Sequence, residues 1–133
     1  MAEIEAGGRL EAADYRRLRA AVGWSTPPLD DSALQSALDR TWNVVAREDG
    51  ALVGIGRLLD DGALYATVWD MIVAPNVQRR GIGAAILGRL LDRAAERTIV
   101  VLVATVPGRE LYERFGFTPE DGGGAGMSLR PPR

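Results

Sequence analysis

Val73-Ala74-Pro75-Asn76-Val77-Gln78-Arg79-Arg80-Gly81-Ile82-Gly83-Ala84 is the stretch whose reading decides the fold. Before it, the apolar and β-branched run Leu64–Val73 reads as a strand that Pro75 ends. After it, Gly81 to Arg97 sets Ile82, Ile86, Leu87, Leu90, Leu91 and Ala94 on one helical stripe, opposite Arg89, Arg93 and Glu96. The next run, Ile99-Val100-Val101-Leu102-Val103-Ala104, is apolar on both faces and is expected as a buried central strand. Strand, helix and strand in that order imply a parallel β-α-β crossover.

Working towards the N-terminus, Thr41–Arg47, Leu52–Leu58 and Leu64–Val73 are strand-like runs separated by Asp49-Gly50 and Asp61-Gly62, both tight-turn signals, so an antiparallel meander is predicted. Two helices precede it. Tyr15, Leu18 and Val22 share a face of the first, from Leu10 to Val22, with Arg16, Arg17 and Arg19 expected in solvent. Ser32-Ala33-Leu34-Gln35 offers a capping-box start for the second, which carries Leu34 and Leu38 and ends near Arg40. Towards the C-terminus, a short helix over about Arg109 to Phe115 and a hairpin around Gly122-Gly123-Gly124-Ala125-Gly126 complete the expectation. The predicted fold is α/β (α+β): one domain over residues 1–133, with a mixed, mostly antiparallel central sheet and helices on both faces.

The chain has 133 residues, 47% of them hydrophobic and 26% charged, which suits one folded domain. Its 16 Lys and Arg against 18 Asp and Glu argue against a nucleic-acid partner. The absence of Cys and His excludes disulfide scaffolds, Cys/His zinc sites, Ser-His-Asp triads and cysteine nucleophiles, and no metal is expected. No apolar run is long enough to span a bilayer, and Met1-Ala2-Glu3-Ile4-Glu5 lacks the pattern of a signal peptide, so a cytoplasmic location with no membrane partner is expected.

The chemistry concentrates at the strand-to-helix turn. First-turn N–H groups have no partner inside a helix and point past its start, where the helix dipole favours an anion. Gly81 and Gly83 allow close approach of a ligand to the backbone, and Arg79 and Arg80 add charge-assisted donors suited to a diphosphate. Neither common phosphate loop is present: no Gly-Lys-Ser/Thr occurs here, and the dinucleotide fingerprint would need glycine where Ile86 stands.

Gln78-Arg79-Arg80-Gly81-Ile82-Gly83 after Val73-Ala74-Pro75 resembles the acetyl-CoA signature of the GCN5-related N-acetyltransferase (GNAT) family, Arg/Gln-x-x-Gly-x-Gly/Ala after a strand ending Val-x-Pro. Leu111-Tyr112-Glu113-Arg114-Phe115-Gly116-Phe117 resembles a second family element at the last helix, and the likeness covers about Thr41 to Leu129. The resemblance implies the GNAT (acyl-CoA N-acyltransferase) fold, with acetyl-CoA as cofactor. Its pantetheine would pair with backbone groups of Met71, Ile72 and Val73, and its diphosphate would rest on N–H groups of Gln78, Arg79, Arg80, Gly81, Ile82, Gly83 and Ala84. Tyr112 takes the position of the family's tyrosine beside the thioester sulfur, a general acid for the leaving thiolate. A phenol with an ordinary pKa near 10 matches a thiolate of similar basicity.

The resemblance further implies transfer of an acetyl group to a primary amine of a small molecule by direct attack in a ternary complex. Peptide or protein N-acetylation, and an acetyl-CoA sensor without turnover, are the alternatives. An amine acceptor must lose a proton before it attacks. Asp70, in the apolar run Val68-Trp69-Asp70-Met71-Ile72-Val73, is the candidate base; pairing with an arginine or with bulge N–H groups is its structural alternative. Trp24, Trp42 and Trp69 are expected in the core and carry no assigned role. Two positions depart from the family pattern: Thr105 stands where an Asn commonly contacts the cofactor arm, so that contact is expected to be weakened or made by the Thr105 hydroxyl, and Gly108 stands where Ala is expected. With little chain to enclose a substrate, the acceptor site is expected to be open or completed by a second copy in a homodimer.

Overall fold

The computed structural model describes residues 2–119 and 126–130. It divides into two compact units, Met1–Val103 and Ala104–Arg133.

The first unit holds β1 (Glu3–Ala6), α1 (Ala12–Ala21), α2 (Asp31–Asp39), β2 (Trp42–Glu48), β3 (Ala51–Asp60), β4 (Tyr65–Val73), α3 (Ile82–Arg93) and β5 (Ile99–Leu102). The strands form one sheet in the order β1-β2-β3-β4-β5. Neighbours are antiparallel except β4 and β5, whose parallel pairing through α3 is the predicted crossover. The mixed, mostly antiparallel sheet therefore stands as expected, with β1 added at its edge. The short β1 alternates weakly and has no apolar run, so pattern alone does not reveal it.

Adjacent residues of a strand face opposite sides of the sheet. Gly56 of β3 faces α3: a Cβ there would come within 2.7 Å of Ile86 and of Leu90, so only glycine admits the helix this close. Ile82, Ile86, Leu87 and Leu90 of α3 are buried over the face that carries Val44, Ala46 and Leu58, as the helical stripe requires. Arg57 presents the other face, where Tyr15 and Leu18 of α1 and Leu34 and Leu38 of α2 are buried. Among the described residues no helix is long and apolar enough to cross a membrane.

Four expectations are corrected in this unit. The run Ile99–Ala104 is not a buried central strand: β5 stops at Leu102 and lies at the sheet edge among the described residues, with Ile99 and Val101 about two-fifths exposed. α3 ends at Arg93 rather than Arg97: past it the chain tightens into turns, Ala95 N–H donating to the Asp92 carbonyl and Arg97 N–H to the Ala94 carbonyl, and the Arg97 side chain pairs with Asp60 at the end of β3, Nε to Oδ1 2.7 Å. The N-cap of α2 is Asp30, which accepts the Ala33 N–H at 2.7 Å, so the start is not the Ser32 box. The tryptophans are not core residues either: Trp24 and Trp42 lie under the guanidinium groups of Arg19 and Arg93, and Trp69 is half exposed.

The second unit contains α4 (Arg109–Arg114), close to the predicted last helix. The hairpin expected around Gly122–Gly126 falls largely outside the described residues; residues 126–130 have no regular structure.

Candidate active site

β4 is paired on both sides only in its first half. The ladder to β5 runs from Tyr65↔Ile99 to Val68↔Leu102 and stops, while β3 stays paired as far as Val73. The backbone from Trp69 to Val73 thus has a strand on one side and none on the other among the described residues. Met71, Ile72 and Val73 lie on this open edge, where an extended ligand can accept and donate as a further strand would.

The edge leads into the turn. Pro75–Val77 makes one 3-10 turn, and Gln78 follows, its amide Nε2 donating to the Val73 carbonyl at 3.0 Å. Arg79 (φ 66°) and Gly81 (φ 81°) are both left-handed, which only glycine adopts without strain. Gly81 is the N-cap of α3 and has no side chain to cap it. The first helical bond is from Ala85 N–H to the Gly81 carbonyl at 3.0 Å, so the N–H groups of Ile82, Gly83 and Ala84 are left without intrahelical acceptors. The N–H groups of Ile82, Gly83 and Ala84 thus point past the start of α3 without helical partners. The two arginines of the turn differ. Arg80 donates to Glu48 of β2 at 3.3 Å, across a cleft of about 350 Å³, while the Arg79 side chain bonds to no described residue.

A different use of arginine lies on the opposite face of the sheet from α3. Ile55 pairs with Ile72 and Arg57 with Trp69, so Asp70 and Met71 both stand across from Gly56: a β-bulge. Asp70, with φ 52°, turns its carboxylate towards α1. Its Oδ2 accepts the Tyr15 hydroxyl at 2.6 Å and Arg57 Nη1 at 2.9 Å, and its Oδ1 accepts Arg19 Nη1 at 2.9 Å. Arg57 also donates to the Thr41 hydroxyl and the Ala37 carbonyl, and Arg19 to the Ser25 carbonyl. The side chains of Arg19, Arg57 and Asp70 are only 16%, 14% and 12% exposed. Burial, then the bond to Asp70, push the Tyr15 phenol up from its ordinary range, so it stays the donor of its pair. Asp70 is thus paired with two arginines, the arrangement expected as its structural alternative.

In the second unit, Tyr112 is half-buried and burial raises its phenol above the ordinary value. Its ring meets Phe117 edge-on at 6.0 Å, and its carbonyl accepts the N–H groups of Phe115 and Phe117, which fixes the turn after α4. The Thr105 hydroxyl is used locally, accepting the Gly108 N–H at 3.2 Å. A Cβ on Gly108 would lie 3.1 Å from that hydroxyl and 3.4 Å from the Tyr112 ring, a local reason for glycine in place of the expected Ala.

The acetyltransferase (GNAT) family model matches residues 9–117. The chain belongs to that family. It is 31% identical to a soybean (Glycine max) protein named histone acetyltransferase TAP1, over 96% of this chain and 61% of that one. It is 27% identical to the chloroplastic GCN5-related N-acetyltransferase 2 of Arabidopsis thaliana, over 96% of this chain and 58% of the relative. It thus spans less than two thirds of either. A solved GNAT-family acetyltransferase from Streptococcus pneumoniae superposes with a TM-score of 0.85 at 28% identity, covering all of both chains.

Within this GNAT chain, the sequence singled out the open edge, the turn and Tyr112, but not Tyr15, Arg19 or Arg57. Arg19, expected in solvent, is largely withdrawn from it. Residues four apart share a helix face, so the burial of Tyr15 carries Arg19 inward with it. The available signal was Asp70 itself, since a carboxylate in an apolar strand requires cationic partners. Among the described residues no cluster of His, Cys, Asp or Glu could hold a metal ion.

Proposed function

We propose that the protein is an acetyl-CoA-dependent N-acetyltransferase that acts on the primary amine of a small molecule by direct attack in a ternary complex. The observation that carries this is the open edge from Trp69 to Val73 running into a turn of unpaired N–H donors, in a chain of the GNAT family. Bound acetyl-CoA supplies an activated acyl carbon and a thiolate leaving group. The backbone of Met71, Ile72 and Val73 orients the extended arm, and the N–H groups from Gln78 to Ala84, with Arg79, hold the diphosphate. The amine nitrogen bonds to the acyl carbon as the carbon–sulfur bond breaks. Tyr112, assigned on its motif, gives its phenol proton to the sulfur, and its raised pKa keeps that proton in place at neutral pH. Since both Asp70 oxygens are taken by Tyr15 and two arginines, the proton of the amine leaves to water.

The name of the soybean relative favours a second reading, in which the acceptor is a peptide or protein amine. A panel of free amines and lysine-containing peptides, followed by release of free thiol from acetyl-CoA, separates the two. Thiol release with neither class, despite cofactor binding, would favour a sensor without turnover. Tyr112→Phe is expected to keep acetyl-CoA affinity and to lower kcat by about 100-fold or more. An unchanged kcat removes the phenol from the mechanism, and no acetyl-CoA binding by the wild-type protein in calorimetry overturns the reading as a whole.

A further inference from the structure

We infer that Tyr15, Arg19 and Arg57 are positioning residues, acting through Asp70 on the β4 bulge to fix the backbone edge that receives the acyl arm of the cofactor. The inference rests on the proposed use of that edge and adds residues that the family motifs do not touch. Three observations carry it. Asp70 holds a left-handed φ of 52° inside a strand, a conformation that costs a non-glycine residue about 1–3 kcal/mol unless its surroundings impose it. Those surroundings are three donors from two elements, Tyr15 and Arg19 on α1 and Arg57 on β3, all converging on one carboxylate. The bulge they hold lies where β5 has already left β4, immediately before Met71, Ile72 and Val73.

The cluster is closed to a ligand. All three Arg57 nitrogens are engaged, both Arg19 Nη atoms are engaged, and Arg19 Nε is buried without a partner. Its effect is therefore internal. The Asp70 side chain is drawn to the α1 face while Met71 Sδ lies towards α3, 2.8 Å from where a Gly56 Cβ would be. Pulling consecutive side chains to opposite faces across one partner residue sets the tilt of the following peptide groups. Arg19 also donates to the Ser25 carbonyl at 2.7 Å, so the loop between α1 and α2 is tied to the same bulge.

Tyr15→Phe tests this, because it deletes one hydroxyl and leaves the ring in place. In the full chain, acetyl-CoA binding, ADP binding, kcat and thermal midpoint are measured together. We expect the ADP affinity and the fold to persist while kcat/KM for acetyl-CoA falls by about 10- to 100-fold, since small displacements from the productive geometry cost that much. The backbone amide resonances of Met71, Ile72 and Val73 are expected to shift in the free protein. Arg19→Lys, which retains the charge, is expected to recover part of the rate that Arg19→Met loses, and it serves if Tyr15→Phe does not fold. Equal loss of ADP and acetyl-CoA affinity, or unmoved resonances with an unchanged rate, overturns the inference while the enzyme reading stands. Failure of the wild-type protein to bind acetyl-CoA overturns that reading instead.

Discussion

The protein places arginines at two sites whose hydrogen-bonding states are opposite. Around Asp70, two guanidinium groups are largely buried and every nitrogen but Arg19 Nε is spent on Asp70, Tyr15, Thr41 and backbone carbonyls. At the start of α3, first-turn N–H groups and the Arg79 side chain have no acceptor among the described residues. A polar cluster whose donors are filled stabilises and shapes; one whose donors are free recognises an anion. Residue type is shared between the two regions, so only the count of satisfied groups separates building from binding.

Asp70→Ala attacks the closed region hardest. It leaves two buried guanidinium groups without their carboxylate, and urea denaturation should show a loss of about 3–5 kcal/mol. A loss below about 1 kcal/mol would mean that the cluster is not closed in solution. Gly83→Val at the open region should do the reverse, leaving stability near wild type and weakening acetyl-CoA by about 100-fold, or about 2.7 kcal/mol. Retained affinity would refute close approach of the ligand to that backbone.

Asp60, the last residue of β3, and Arg97 provide a second closed pair and sharpen the contrast. The Arg97 guanidinium, against the opposing effect of burial, holds the Asp60 carboxyl at about 2. A depressed folded-state pKa stabilises the fold above the unfolded value near 4, and that stability fades as pH falls from about 4 to about 2. Asp60→Asn should cost about 2 kcal/mol at neutral pH, flatten the thermal midpoint across that acid range, and leave cofactor affinity unchanged. The smallest effects are expected within the turn. Arg79→Ala should weaken acetyl-CoA by about tenfold, while Arg80→Ala, already paired with Glu48 in an exposed bridge, should weaken it by about two- to threefold. The reverse order would show that Arg80 leaves Glu48 to meet the diphosphate.

The meander, the crossover helix and the motif turn were legible because each depends on local chemistry. Asp49-Gly50 and Asp61-Gly62 reverse the chain, and the α3 stripe repeats at the helical period. The position of β5 was not legible, since an apolar run tells that a strand is sticky and not how many neighbours it has. Nor was the pairing of Arg97, just past the end of α3, with Asp60, 37 residues away in sequence.

By itself, then, the sequence determined the order of strands and helices from α1 onward, the glycine-bearing turn, and the family that both imply, because periodicity and turn chemistry act within a few residues. The tertiary structure alone decided which polar groups are spent. Asp70 lies 55 residues from Tyr15 and 51 from Arg19, and only the folded sheet brings the phenol and the two guanidinium groups onto one carboxylate. A hydrogen bond is satisfied at about 3 Å in space, whatever the separation along the chain.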